Sequence, residues 1–223
     1  MKILALSDIE VSFVYNPVAA LRFQDVGMVI GCGDLSYIYI EHLVNLLGVP
    51  TYFVRGNHAK PVEMSLGVRR TSPWGAKDLH QQVVRDHSGL LMAGIEGSIR
   101  YNNGKYQYTQ GEMWWMVFRL VPQMILNKSR YGRFLDLFVT HAPPWSIHDK
   151  EDHPHQGIKS FLWLDRVFQP LVHFHGHVHI YSPLTRTTTQ YHNTQIINVF
   201  RYREQELLLE GKNARPVLVS EGG

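Results

Sequence analysis

One cysteine, Cys32, occurs in the 223 residues, so the chain cannot form an internal disulfide, which fits a reducing compartment. No apolar run approaches the roughly 18–20 residues that span a bilayer. Charge of one sign is also scarce. The 22 Lys and Arg against 19 Asp and Glu leave +3, well short of the basic excess of a nucleic-acid-binding surface. Repeats, low-complexity tracts and linker-like stretches are missing, so residues 1–223 are expected to form a single domain. The apolar N-terminal run Ile3 to Leu6 ends at Ser7-Asp8, which makes it a buried strand and not a signal peptide. The expected protein has no membrane partner and works in the cytoplasm. What is present in quantity is apolar: 44% of residues are hydrophobic, ample for a sizeable core.

The first sixty residues alternate strand and helix. Ile3 to Leu6, Gly27 to Ile30 and Val49 to Val54 are short apolar runs of the kind that become buried strands. Between them Asn16-Pro17 opens a helix. Ser36 caps a second, whose Ile40, Leu43, Val44 and Leu47 share a face and which Gly48 closes. This order predicts parallel strands that carry function at their C-terminal ends. Lys60 to Ser88 reads as loops with one short helix. Leu90 to Ile95 is another strand, and Tyr101 to Tyr108 a polar, aromatic loop. Thr109 and Glu112 stand at capping-box spacing. Met113, Met116, Val117, Leu120 and Met124 then hold one helical face, and Pro122 is expected to kink or shorten that helix. Further on, a strand (Phe134 to Val139), a long polar loop to Gly157, a helix (Ile158 to Phe168) and a strand (Leu171 to Phe174) follow. Thr185 to Gln190, Gln195 to Phe200 and Pro216 to Ser220 read as antiparallel strands.

Five of these segments end in residues that bind hard or borderline metals: Asp8-Ile9-Glu10, Gly33-Asp34, Gly56-Asn57-His58, Thr140-His141-Ala142 and Gly176-His177-Val178-His179. Asp8 and Glu10 are two apart on an extended segment and point to one side, where two carboxylates repel unless a cation lies between them. Asp34 has two oxygens and can bridge two ions. Asn57 offers an amide oxygen, and His141, His177 and His179 offer imidazole nitrogens. Placed together at strand ends, these types describe a two-metal hydrolytic centre, in which ions about 3.5–4 Å apart polarise a phosphoryl group and activate a water.

The order of the five blocks resembles that of the calcineurin-like metallophosphoesterase superfamily, from Asp8 to His179. The resemblance implies an α/β fold, a four-layer α/β/β/α sandwich of two mixed sheets flanked by helices. It also implies a ligand set: Asp8, position 10 and His179 for one metal, Asp34 as the bridge, and Asn57, His141 and His177 for the other. His58 is similar to the family histidine that protonates the leaving group, and a bridging hydroxide would attack phosphorus in line. Two positions depart from the family pattern. Glu10 stands where a histidine is usual, and its hard, charged oxygen favours Mn²⁺, with Mg²⁺, Fe and Zn²⁺ as alternatives. Ala59 follows Gly-Asn-His where an acidic residue is usual, so His58 lacks that orienting partner. The expected activity is hydrolysis of a small phosphodiester, nucleotide-type esters included. The alternatives are a phosphomonoesterase of the same mechanism and a non-catalytic scaffold of this fold that binds proteins.

Other residues are read more plainly. Arg55, Arg100 and His148 are candidates for contact with the substrate phosphate. Tyr101, Tyr106, Tyr108, Trp114 and Trp115 either stack an aromatic group or cap the sandwich. The run from Ile147 to His155 is rich in ligand-type residues and reads as the rim of the substrate site, a third metal being the alternative. His173 and His175 match no ligand position and are expected to be structural, and Cys32 is expected to pack.

Overall fold

Strand β1 (Lys2–Ser7) shows how the layers arise. Its side chains alternate: Ile3 and Ala5 enter one apolar cluster, Leu4 and Leu6 another, and all four are buried. A strand apolar on both faces must be covered on both faces. The protein was obtained as a computed structural model that describes residues 1–16, 18–65, 67–211 and 213–219. After α1 (Val18–Arg22), β2 (Val26–Cys32) joins β1 in parallel. Helix α2 (Tyr37–Leu47) leads to β3 (Thr51–Val54), parallel to β2. As expected, the Ser36 hydroxyl accepts from the Tyr39 N–H, and Gly48 ends the helix in the left-handed conformation at φ 62°. Pro17, read as the first residue of a helix, lies outside the described residues.

The stretch from Lys60 to Ser88 corrects the expected loops and helix. It holds a hairpin of β4 (Glu63–Ser65) and β5 (Val68–Arg70), then β6 (Ala76–Asp78), parallel to β3, and β7 (Gln82–Arg85). Tertiary contacts fix the hairpin: the Arg70 Nε donates to both Glu41 oxygens at 2.9 Å. Next come β8 (Leu91–Ile95) and the short parallel pair β9 (Ser98–Ile99) and β10 (Gln107–Tyr108), which occupies part of the expected aromatic loop. Helix α3 (Gln110–Tyr131) opens on the complete Thr109–Glu112 capping box. It runs through Pro122 for 22 residues, so the expected shortening does not occur. Pro122 and Phe118, whose carbonyl loses its partner, both lie on the exposed side, where the lost bond costs less than it would in the core.

The rest is β11 (Leu137–Thr140), α4 (Lys159–Phe168), β12 (Val172–His175), β13 (Thr188–Tyr191), β14 (Thr194–Asn198), β15 (Arg201–Leu208) and β16 (Val217–Leu218). The two main sheets run β16-β15-β1-β2-β3-β6 and β13-β14-β12-β11-β8-β7. Both are mixed. Strand β14 pairs antiparallel with β13 as expected, but parallel with β12. Ser220 lies outside the described residues. Ile3, Met28, Ile30, Met92, Val139 and Phe174 fill the space between the sheets. Helices α1 and α2 cover the first sheet through Ala19, Ile40 and Leu43, and α3 and α4 cover the second through Met113, Leu120 and Phe161. This is the α/β/β/α sandwich. Each fully buried Leu, Ile or Phe contributes about 1.5–3 kcal/mol. Among the described residues no helix is long and apolar enough to cross a membrane.

Candidate metal centre

The parallel strands of both sheets bring their C-terminal ends to one edge of the sandwich. Asp8 follows β1, Asp34 follows β2 and Asn57 follows β3 in the first sheet. His141 follows β11 and His177 follows β12 in the second. Ligand atoms of Asp8, Asp34 and His141 all lie within 4.8 Å of one another. Backbone bonds join the loops: Asp8 N–H donates to the Gly33 carbonyl at 3.2 Å, Gly176 N–H to the His141 carbonyl at 2.9 Å, and His177 N–H to the Asp8 carboxylate at 3.1 Å.

The glycines of the motifs make this convergence possible. A Cβ at Gly33 would overlap the His141 ring, one at Gly56 the Asp34 carboxylate, and one at Gly176 the Ser7 hydroxyl and Asp8 carboxylate. Asp8, Asp34 and His177 themselves take left-handed backbone angles, φ 66°, 54° and 67°. Such conformations are costly for residues with a Cβ and gather at functional sites.

His141 shows what the cluster can hold. Its ring is fully buried and its Nδ1 lies 2.9 Å from the Cys32 carbonyl, an acceptor only, so Nδ1 carries hydrogen. Its Nε2 faces two more oxygens, Asn57 Oδ1 at 2.8 Å and Asp34 Oδ2 at 3.2 Å. The Asn57 amide is oriented by its Nδ2 donating to the Tyr101 hydroxyl at 3.0 Å. A nitrogen lone pair and two oxygen acceptors thus meet at one point, which only a proton or a metal ion can satisfy. The residues therefore fit divalent cations.

The ionisation follows. Burial by itself would lower His141, but the Asp34 and Asp8 charges raise it to about 9. Burial would raise Asp34, but His141 and the His58 N–H bring it down to about 2. Asp8 is raised, because burial outweighs His141 and the Ser7 hydroxyl. Burial and the charge of His141 lower His177 to about 3, which leaves a neutral imidazole. His177 donates Nε2–H to the Pro154 carbonyl at 2.8 Å, so its Nδ1 is the nitrogen left to bind a metal.

A cavity of about 290 Å³ lies among Asp8, Asp34, His58, His155, His177 and His179. The exposed His58 also lines a larger one of about 610 Å³, with Leu35, Ile38, Val62 and Met64 beside Lys60 and Glu63. His179 Nε2 is 3.7 Å from Asp8 Oδ1. Glu10 is not brought into the cavity. Its Oε1 accepts from the Ser36 N–H at 3.1 Å and its Oε2 from the Tyr15 hydroxyl at 3.3 Å.

The expected substrate contacts also lie elsewhere. Arg55 binds the Tyr37 hydroxyl, Asp78, Glu96 and the Thr71 carbonyl. Arg100 holds both oxygens of Glu112. His148 bridges His175 and Thr189 at 2.9 Å each. Of the aromatics, Tyr106 lies under Arg55, Tyr108 stacks on His80, and Trp114 packs on Phe118 and Trp163. His173 is buried between Asp165 and the Thr140 hydroxyl, 2.8 Å from each, which braces the strand end that bears His141. Cys32 contributes its carbonyl to the site, and burial pushes its thiol well up. Sequence reasoning misses two residues of the site, Tyr101 as the Asn57 partner and Ser7, whose hydroxyl donates to Asp8, and reads His155 only as part of the loop at the rim. The density of His and Asp between Ile147 and His155 is the available signal for His155.

The fold is shared with solved structures. The protein TT1561 of Thermus thermophilus matches with a TM-score of 0.57 at 14% identity, over 90% of this chain and 89% of that one. Phosphopantetheinyl hydrolase (PptH) from Mycobacterium tuberculosis matches with a TM-score of 0.50 at 14% identity, over 89% and 88%. At such identities the likeness is one of fold. No protein-family model matches the chain, and no curated protein does.

Proposed function

We propose that this chain is a metal-dependent phosphoric ester hydrolase, working as the calcineurin-like metallophosphoesterases do on a small phosphodiester. The observation that carries the reading is the convergence of Asp8, Asp34 and His141 from three strand ends of two sheets. Asp34, whose carboxylate lies near both Asp8 and His141, would bridge the two ions. Asn57, His141 and His177 would hold one of them, and Asp8 and His179 the other. Asp8, Asp34 and Asn57 supply hard oxygens that suit Mn²⁺, with Mg²⁺, Fe and Zn²⁺ as alternatives; Glu10, engaged by Ser36 and Tyr15, adds nothing to that preference. Two such ions would polarise a phosphoryl group and lower the pKa of a water between them.

The chain's own part is positioning and proton delivery. His58 lies where the two cavities meet, so it can give a proton to a leaving oxygen whose alcohol occupies the larger one. The modest cavity sizes support a small substrate. With one buried cysteine, the proposed setting is the reducing cytoplasm.

Turnover of bis-p-nitrophenyl phosphate and p-nitrophenyl phosphate, after EDTA treatment and Mn²⁺ addition, tests the reading. The expected result is faster diester hydrolysis, abolished together with metal binding in Asp34→Ala. A faster monoester reaction reverses the substrate preference. No turnover with any metal on folded protein supports the scaffold alternative, for which the outward Glu10 and the Ala59 beside His58 are the observations. Zinc or iron dominating after aerobic purification overturns the choice of Mn²⁺.

A further inference from the structure

Position 10 leaves the proposed ligand set one side chain short, and the loop before α4 brings a histidine to the same cavity. His155 lines it together with Asp8, His177 and His179. The rings of His141, His177 and His155 follow one another at centroid distances of 4.9 and 5.1 Å. Behind His155, its Nδ1 is bound to the Asp152 carboxylate. An ionised carboxylate only accepts, so Nδ1 carries the hydrogen, and in the neutral ring the lone pair is on Nε2. Among the described residues Nε2 has no hydrogen-bond partner. A carboxylate behind one ring nitrogen and an open lone pair on the other is the usual arrangement of a metal-binding histidine.

The loop is held in place. Asp149 Oδ2 accepts from the N–H groups of Ser146 and Gly157 at 3.0 and 3.1 Å, Lys150 N–H donates to the His155 carbonyl at 3.1 Å, and His153 Nε2 lies 3.1 Å from the Arg100 carbonyl. The same loop orients His177 through the Pro154 carbonyl. Glu10, by contrast, is engaged by Ser36 and Tyr15.

We propose that His155, set by Asp152 and lying beside His177 in the cavity, is a ligand to one of the two ions and supplies the side chain that position 10 does not. The inference rests on the two-metal reading above. Isothermal calorimetry with Mn²⁺ and metal-to-protein ratios on EDTA-treated protein test it. Wild type is expected to bind two ions. His155→Ala is expected to retain one and to bind the second at least about 10-fold more weakly, and Asp152→Asn to weaken it about 10-fold. Glu10→Gln is expected to stay within about 2-fold of wild type. Pulsed EPR of the Mn²⁺ protein should show one imidazole nitrogen fewer in His155→Ala, a change that a merely structural role would not produce. His155→Gln serves if the alanine variant fails to fold.

Unchanged binding of both ions in the His155 variants overturns the proposal, as does loss of an ion in Glu10→Gln. Fewer than two ions on wild type overturns the two-metal reading itself, and this proposal with it.

Discussion

Gly176→Ala separates a glycine needed for space from one needed for backbone freedom. Residue 176 lies outside the left-handed region, so alanine meets no conformational penalty there, and the effect is steric. The new methyl would overlap the Ser7 hydroxyl and the Asp8 carboxylate. Ser7 ends β1, an interior strand of its sheet, and its backbone cannot retreat. The Ser7 hydroxyl must rotate away and give up its bond to Asp8, and the Asp8 carboxylate, which also accepts the His177 N–H, must shift. Forcing a methyl into a packed site costs about 1–3 kcal/mol. Drawn from metal binding, that is a roughly 5- to 150-fold weaker affinity.

Gly48→Ala is the matched control. Nothing lies within 4 Å of its Cβ position, but its φ of 62° is left-handed. It should lose about 1 kcal/mol of stability with no change in metal affinity. Calorimetric Mn²⁺ titration and thermal unfolding in EDTA read both quantities. Wild-type metal affinity in Gly176→Ala, or an equal loss in Gly48→Ala, would refute the steric account of the site.

Three further outcomes follow from the geometry. His58→Ala should keep both ions yet slow hydrolysis of alkyl esters by about 10²–10⁴-fold, and of p-nitrophenyl esters much less; equal losses on both would remove the proton-donor role. In EDTA, stability should depend on pH through the His141–Asp34 pair. The raised His141 contributes fully below its unfolded value of 6.5 and loses that contribution as pH rises through about 9, while the lowered Asp34 contributes above 3.8 and loses it as pH falls through about 2. At ~1.4 kcal/mol per unit the alkaline loss is on the order of 3 kcal/mol, and a flat denaturant midpoint between pH 6.5 and 9 would contradict it. Thr109→Ala should remove the capping box of α3 at a cost of about 1 kcal/mol, with turnover unchanged in the same preparation.

What was legible in the sequence was local. Ile3 to Leu6 reads as a strand because both of its faces are apolar, and α3 reads as a helix because its cap and its methionine face are written in adjacent residues. Strand β15 was missed for the opposite reason. Arg201–Leu208 carries arginines on one face and glutamates on the other, so neither face is continuously apolar, and its pairing with β1 is its main claim to be a strand. The β4–β5 hairpin likewise depends on Arg70 reaching Glu41, 29 positions away. The convergence of the candidate ligands other than Glu10 is readable because each block is a strand end, four of the five with their own glycine or histidine. His155 is legible only as part of a ligand-rich loop, because its place in the cavity depends on how that loop folds back beside His177.

Glu10 shows the same limit in electrostatic form. Its spacing from Asp8 puts the two carboxylates on one side, and spacing alone points both at the metals. Asp8 and Asp34 already bring two carboxylates to the cavity, and a third would add repulsion there. The first turn of α2 offers the competing site: a free N–H at Ser36 and the positive end of an 11-residue helix. A histidine at position 10 would gain nothing from that helix end, whereas a glutamate does. Glu10 thus has its own reason for turning outward, and the proposed ligand set keeps a place for a histidine from another loop.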